Sequence, residues 1–279
     1  SSLIEVFERL ANNPLKVGGF ETRITESLHE TNDVNNGTIQ RKTEFPVVDL
    51  YEFIFSGPHF FINNPISKTP RSICEEKADY DTIDLLSIDE DFVQRTNYVP
   101  LIDLTEYKSR IPSVKQEIEW IDSYRVGITK GLSLGAERSL QSYIIFPKSS
   151  HIYTTVSVQF EEDSNVIELT GICSSLIMDF YAKARGKGSI TSSPLRLFPM
   201  GIPQEIKPYL NLRVLLLNCL NKHYTDLWME SYLPSFQKDV WSKIDPRIKL
   251  NEALSNTWSW NTPLRNYYER RWAQIEIDV

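Results

Sequence analysis

The residues best suited to chemistry on a charged partner lie in Lys183-Ala184-Arg185-Gly186-Lys187-Gly188-Ser189. Cations and a serine hydroxyl are the usual contacts to phosphate, and glycine lets the backbone approach a ligand closely. The same pattern also serves as a helix C-cap, with glycine ending the helix and the cations set against its dipole. Arg196 follows in Pro194-Leu195-Arg196-Leu197-Phe198-Pro199. Two other spans offer similar groups: the proline-stiffened Lys68-Thr69-Pro70-Arg71, and the stretch from Arg138-Ser139 to Lys148-Ser149-Ser150-His151. Their structural alternatives are a solvated turn and a strand end. The candidate contacts to a polyanion are therefore Lys68, Arg71, Arg138, Lys148, Ser150, Lys183, Arg185, Lys187, Ser189 and Arg196.

Catalytic chemistry has no comparable signal. The chain has no GxSxG elbow, no HExxH and no GxxxxGK[ST] phosphate loop. His29, His59, His151 and His223 follow no metal-ligand spacing. Asn64-Pro65-Ile66-Ser67 partly matches the Asn/Asp-Pro-Pro-aromatic loop that holds a target amine in amino-methyltransferases, but the second proline and the aromatic are missing. A proline-framed buried turn is expected there instead. No catalytic residue and no metal ligand is assigned.

The 279 residues allow one large domain or two small ones. A net charge of −7 argues against a uniformly basic nucleic-acid binder, though not against a local basic face. Cys173 and Cys219 sit in apolar helical patterns and read as core residues. Cysteines this sparse, without a CxxC pair, fit a reducing cytoplasm. No apolar run is long enough for a bilayer, so no membrane partner is expected. The opening Ser1-Ser2-Leu3, without an initiator Met, reads as a piece of something larger.

These groups need elements to hold them. His151 to Phe160 is β-branched and aromatic and predicts a strand. Val166 to Ala184 keeps helical spacing and predicts a buried helix leading into the basic loop. Further strands are expected over Trp120–Ile128 and Arg138–Pro147, and a hairpin from Phe20–Leu28 through Asn35-Asn36-Gly37 to Thr38–Phe45. A short buried strand is expected at Phe60-Phe61-Ile62, and Asp79 to Asp91 reads as an acidic solvated loop. Helices are expected over Leu3–Ala11, Glu205–Ser231 and Leu264–Ile277, the last with Thr262 as N-cap. The fold class is thus α+β: a mixed, mainly antiparallel sheet with packed helices, followed by a helical C-terminal region. A soft boundary near residue 201 divides 1–200 from 201–279.

The order of segments is more informative than any one motif. Ser56-Gly57-Pro58-His59-Phe60-Phe61-Ile62-Asn63-Asn64-Pro65 is followed by Arg95-Thr96-Asn97-Tyr98-Val99-Pro100, by Pro147 to Thr154, and by Ser174-Ser175-Leu176-Ile177-Met178-Asp179-Phe180 with Leu197-Phe198-Pro199. Asn218-Cys219-Leu220-Asn221-Lys222-His223-Tyr224 comes last. In this order the chain, from about Phe20 to Asp278, resembles the C-terminal part of large type II restriction–modification enzymes that methylate adenine. The resemblance implies a target-recognition domain that binds double-stranded DNA. It also implies an upstream methyltransferase domain in the same polypeptide. The catalytic residues, S-adenosylmethionine and any Mg2+ would belong to that domain. His59, Phe60, Pro65 and Asp179 would then be scaffold. The competing expectation is a protein-interaction or scaffold domain of the same defence protein, docking through its tryptophan-rich C-terminal helices. A stand-alone enzyme is a distant third.

Overall fold

A computed structural model describes residues 2–111, 119–133, 135–136, 138–186, 188–243, 245–248 and 253–279. The class is α+β, with helices concentrated toward the C-terminus. Helix α1 (Leu3–Asn12) leads to β1 (Thr22–Thr25), α2 (Glu30–Asn35), β2 (Ile39–Glu44) and β3 (Ile54–Phe55). Then come β4 (Lys68–Pro70), β5 (Tyr80–Thr82), β6 (Thr96–Pro100), α3 (Leu104–Arg110), β7 (Arg125–Thr129), β8 (Ser142–Ile145), β9 (Ser150–His151) and β10 (Thr155–Phe160). The rest is helical: α4 (Asp163–Ser174), α5 (Leu176–Ala184), α6 (Ser192–Leu195), α7 (Lys207–Asn218), α8 (Thr225–Ser231) and α9 (Tyr267–Asp278).

The central sheet is antiparallel in the order β1-β10-β7-β8. Every residue of β8 and β10 is buried, as expected of strands covered on both faces. α4 lies across β7, β8 and β10, and α7 packs on α4. Val166, Ile167, Leu169 and Cys173 fill that layer, and burying each large apolar side chain contributes roughly 1.5–3 kcal/mol. Gly127 on β7 lets the Tyr143 ring lie flat on the sheet: a Cβ there would meet it at 2.4 Å. One continuous core contains Val156 and Ile167 as well as Leu215, Trp228 and Ala273, so it crosses residue 201 without a break.

Several expected elements are divided. The strand over 151–160 is two, β9 and β10, parted by a turn, because β9 pairs in parallel with β3 rather than continuing into the sheet. The helix over 166–184 is also two. Ser175 adopts extended backbone and its hydroxyl accepts from Met178 N, capping α5. The long helix over 205–231 breaks after Asn218, whose Nδ2 donates to Val214 O in its own helix while its Oδ1 accepts from Ile144 N at 3.0 Å. The expected hairpin is absent: β1 pairs with β10 and β2 with β6. Asn35-Asn36-Gly37 instead ends α2, with Gly37 in the left-handed region. The last helix starts at Tyr267 with Asn266 as N-cap, while Thr262 Oγ1 accepts from Ser259 N. Trp120–Asp122 is a single 3-10 turn ahead of β7. Instead of a strand at Phe60-Phe61-Ile62, Phe60 is buried and Phe61 to Asn64 closes a tight turn, with Phe61 half exposed.

Candidate nucleic-acid interface

The expected contacts separate by what their side chains already do. Ser150 is fully buried and its hydroxyl shares a 2.6 Å hydrogen bond with Tyr107 OH. It belongs to the core, because both residues of β9 are buried, and it is removed from the surface set. Arg138 is nearly buried: it donates to Ser174 O at 2.9 Å and pairs with Asp278 of α9. It ties the loop before β8 to α9 and is likewise unsuited to contact DNA. Lys183 pairs with Asp179 at 2.7 Å and donates to Ala136 O at 2.8 Å. Asp179 in turn accepts from Ser139 N and Leu140 N, so Lys183 completes an internal network. Arg71 is exposed, but it donates to Asp81 through Nε and Nη2. Lys68 is half-buried at the start of β4, paired with Thr82 of β5. Lys187 lies outside the described residues.

Lys148 is exposed, in left-handed backbone, and lines a cleft of about 1020 Å³. The described lining of that cleft includes Glu21, Asp122, Glu161, Glu162, Asp163, Asp226 and Glu230, with Lys148 as its one cation. Burial, then the charges of Glu230 and Glu162, push Asp163 up to about 6. Such a surface repels phosphate.

Arg185, Ser189 and Arg196 remain. Gly186 has φ +68° and Gly186 N donates to Lys183 O, ending α5 as the glycine predicts. Beyond it the loop is held by main-chain pairing: Leu132 N donates to Gly188 O and Ile190 N to Lys130 O. Ser189 is exposed beside this edge. The Arg185 guanidinium lies 5.6 Å from the centre of the Tyr181 ring. Tyr181 packs on Phe7 of α1 and on Phe198. Arg196 is exposed after α6, and its carbonyl accepts from Gly18 N at 2.9 Å.

This corner also holds a cation that the sequence reading does not mark. Lys16 is half-buried, bridges to Pro199, and donates through Nζ to Leu10 O and Ala11 O at the end of α1. Burial, followed by the charge of Arg185, lowers its affinity for a proton. Neither Lys16, Arg185 nor Arg196 forms an ion pair with a carboxylate among the described residues. Nothing in Pro14-Leu15-Lys16-Val17 marks this residue, since only the fold brings it to Pro199 and to the carbonyls that end α1.

The histidines and the Asn63 turn have structural positions. His59 and His151 are fully buried, and burial lowers them to about 4 and about 3. Asn63 is fully buried in left-handed backbone; its Nδ2 donates to Gln274 and its Oδ1 accepts from Asn218. That is the buried turn the sequence predicts. Among the described residues no group of three or more His, Cys, Asp or Glu is placed to hold a metal ion, and no helix is long and apolar enough to cross a membrane. No protein-family description matches the chain, and no curated protein matches it in sequence.

Proposed function

We propose that this chain is a DNA sequence-recognition domain of a restriction–modification methyltransferase, gripping duplex DNA for a catalytic domain outside the residues present here. The observation that carries the reading is the stretch from Arg185 to Arg196, in which Ser189 and Arg196 are exposed, Arg185 is half-buried, and neither arginine has a carboxylate partner among the described residues. Phosphate contacts of this kind fix orientation, while base edges are read by polar side chains in a groove. S-adenosylmethionine and any Mg2+ would act on the catalytic domain, and no residue of this chain is given a role toward them. The order of the segments from Ser56 to Tyr224, with its resemblance to such recognition regions, supports the same reading.

A second reading, protein docking, is favoured by the acidic cleft between the start of α4 and α8. The two separate cleanly. Selection of the purified chain against a randomised duplex library at low salt would enrich one motif if it reads sequence. Recovery of an unenriched pool, with no retention of duplex on the protein, would favour docking.

A further inference from the structure

A pocket of about 290 Å³ opens at the N-terminal end of α9, lined by Trp260, Arg265, Asn266 and Glu269. Arg265 is 6% exposed, and its guanidinium lies 3.2 Å from the centre of the Trp260 ring. Its Nε donates to Trp260 O at 3.1 Å, its Nη2 to Leu220 O at 2.7 Å and its Nη1 to Leu85 O at 3.5 Å. Those carbonyls orient the group without matching its charge, and the last bond is too long to hold Nη1 firmly. An arginine also offers more N–H donors than these bonds use. Among the described residues no carboxylate forms an ion pair with Arg265. Arg270, within α9, is likewise bonded only to carbonyls, those of Leu217, Leu264 and Asn63. A charge held this way out of water is costly until an anion meets it.

The rest of the lining adds donors and one acceptor. Asn266 caps α9 through Oδ1, which accepts from Tyr268 N at 2.8 Å, and its Nδ2 donates to no described residue. The N-terminus of the helix adds partial positive charge. Glu269 is the carboxylate of the described lining and is 4% exposed. A carboxylate accepts several hydrogen bonds, so it suits an oxyanion that still carries a proton and repels one that does not.

We infer that this pocket binds a hydrogen phosphate group, as free phosphate or a phosphomonoester, with Arg265 and Asn266 donating to its oxygens and Glu269 accepting from its P–OH. Sulfate and the phosphodiesters of DNA have no such proton at neutral pH and are disfavoured. The site therefore does not depend on the DNA-binding reading.

The test uses the whole 15N-labelled chain at pH 7. Inorganic phosphate should give saturable shifts of the Trp260 Nε1–H and Arg265 Nε–H resonances, and sulfate at equal ionic strength should not. Methyl phosphate shifting the same signals would extend the site to monoesters, and its failure to do so would restrict it to free phosphate. Arg265→Gln should abolish the response. Asn266→Asp controls for folding, because aspartate caps a helix as well as asparagine does. It should keep the melting temperature while weakening phosphate about tenfold or more, as a contact to a charged group is lost. Glu269→Gln should admit sulfate. No shift with phosphate, or equal binding by wild type and Asn266→Asp, would overturn the site. Sulfate binding to the wild type as tightly as phosphate, or duplex displacing phosphate from these signals, would overturn the role of Glu269. Phosphate bound here by a protein that retains no duplex would uphold the pocket and count only against the DNA reading.

Discussion

Lys183 Nζ lies 2.7 Å from Asp179 Oδ2, and Asp179 also accepts from Ser139 N and Leu140 N. Arg185, two residues further on, has no carboxylate partner among the described residues and lies against the Tyr181 ring. The difference divides the basic loop into a part that closes the fold and a part that faces outward.

Arg138 belongs to the first kind. Arg138→Ala removes the partner of Asp278 and a bond to Ser174 O. Breaking a nearly buried pair in this way should cost about 3 kcal/mol. Urea denaturation should show that loss while the salt slope for duplex DNA stays as in the wild type. A loss of slope without loss of stability would return Arg138 to the DNA surface.

Asn218 joins three elements. Its Oδ1 accepts from Ile144 N in β8, and its Nδ2 donates to Asn63 Oδ1. Asn218→Ala leaves both buried groups without that partner, at about 1–3 kcal/mol each. The expected result is a lower urea midpoint with an unchanged m-value. A variant as stable as the wild type would show that water replaces the side chain at no cost.

Asp163 gives the fold a pH signature. Its carboxyl titrates at about 6 in the folded chain against 3.8 in the ordinary case, because of burial and the nearby Glu230 and Glu162. The folded state therefore takes up the proton first. As pH falls through about 6, this group adds stability, and the gain levels off below the unfolded value. Above that window its ionised form is a net cost. Asp163→Asn should raise stability at pH 8 by about 1 kcal/mol, after allowing for solvent screening and the lost favourable charge at the start of α4. It should also flatten the profile between the two pKa values. A variant less stable than the wild type at pH 8 would contradict this.

Gly127 is a packing position. Gly127→Ala drives a methyl into the Tyr143 ring, which stacks on Phe60 at 3.9 Å. The ring cannot move without disturbing that stack, so overpacking should cost about 1–3 kcal/mol, visible in thermal unfolding.

The sequence carried the fold class and most apolar elements, because periodicity reports which face is buried. It hid the interruptions. Apolar spacing runs through Ser175 and through Asn218, so each pair of helices reads as one, although Ser175 is a readable N-cap. Asn36-Gly37 is a turn signal in either setting, and only tertiary pairing decides that it ends α2 instead of joining two strands. At the site, Arg185, Ser189 and Arg196 were legible as a basic loop. The internal engagement of Arg138 and Ser150 was not, because it depends on neighbours that only the fold supplies.

The most direct test is the salt dependence of duplex binding by the wild type and by an Arg185→Glu, Arg196→Glu double variant, followed by fluorescence anisotropy. The wild type should bind with affinity falling steeply as salt rises. The double variant should bind more weakly and with a slope lower by about 1.8, two phosphate contacts at about 0.9 each. Equal affinity and equal slope for the two proteins would contradict a DNA interface at this corner.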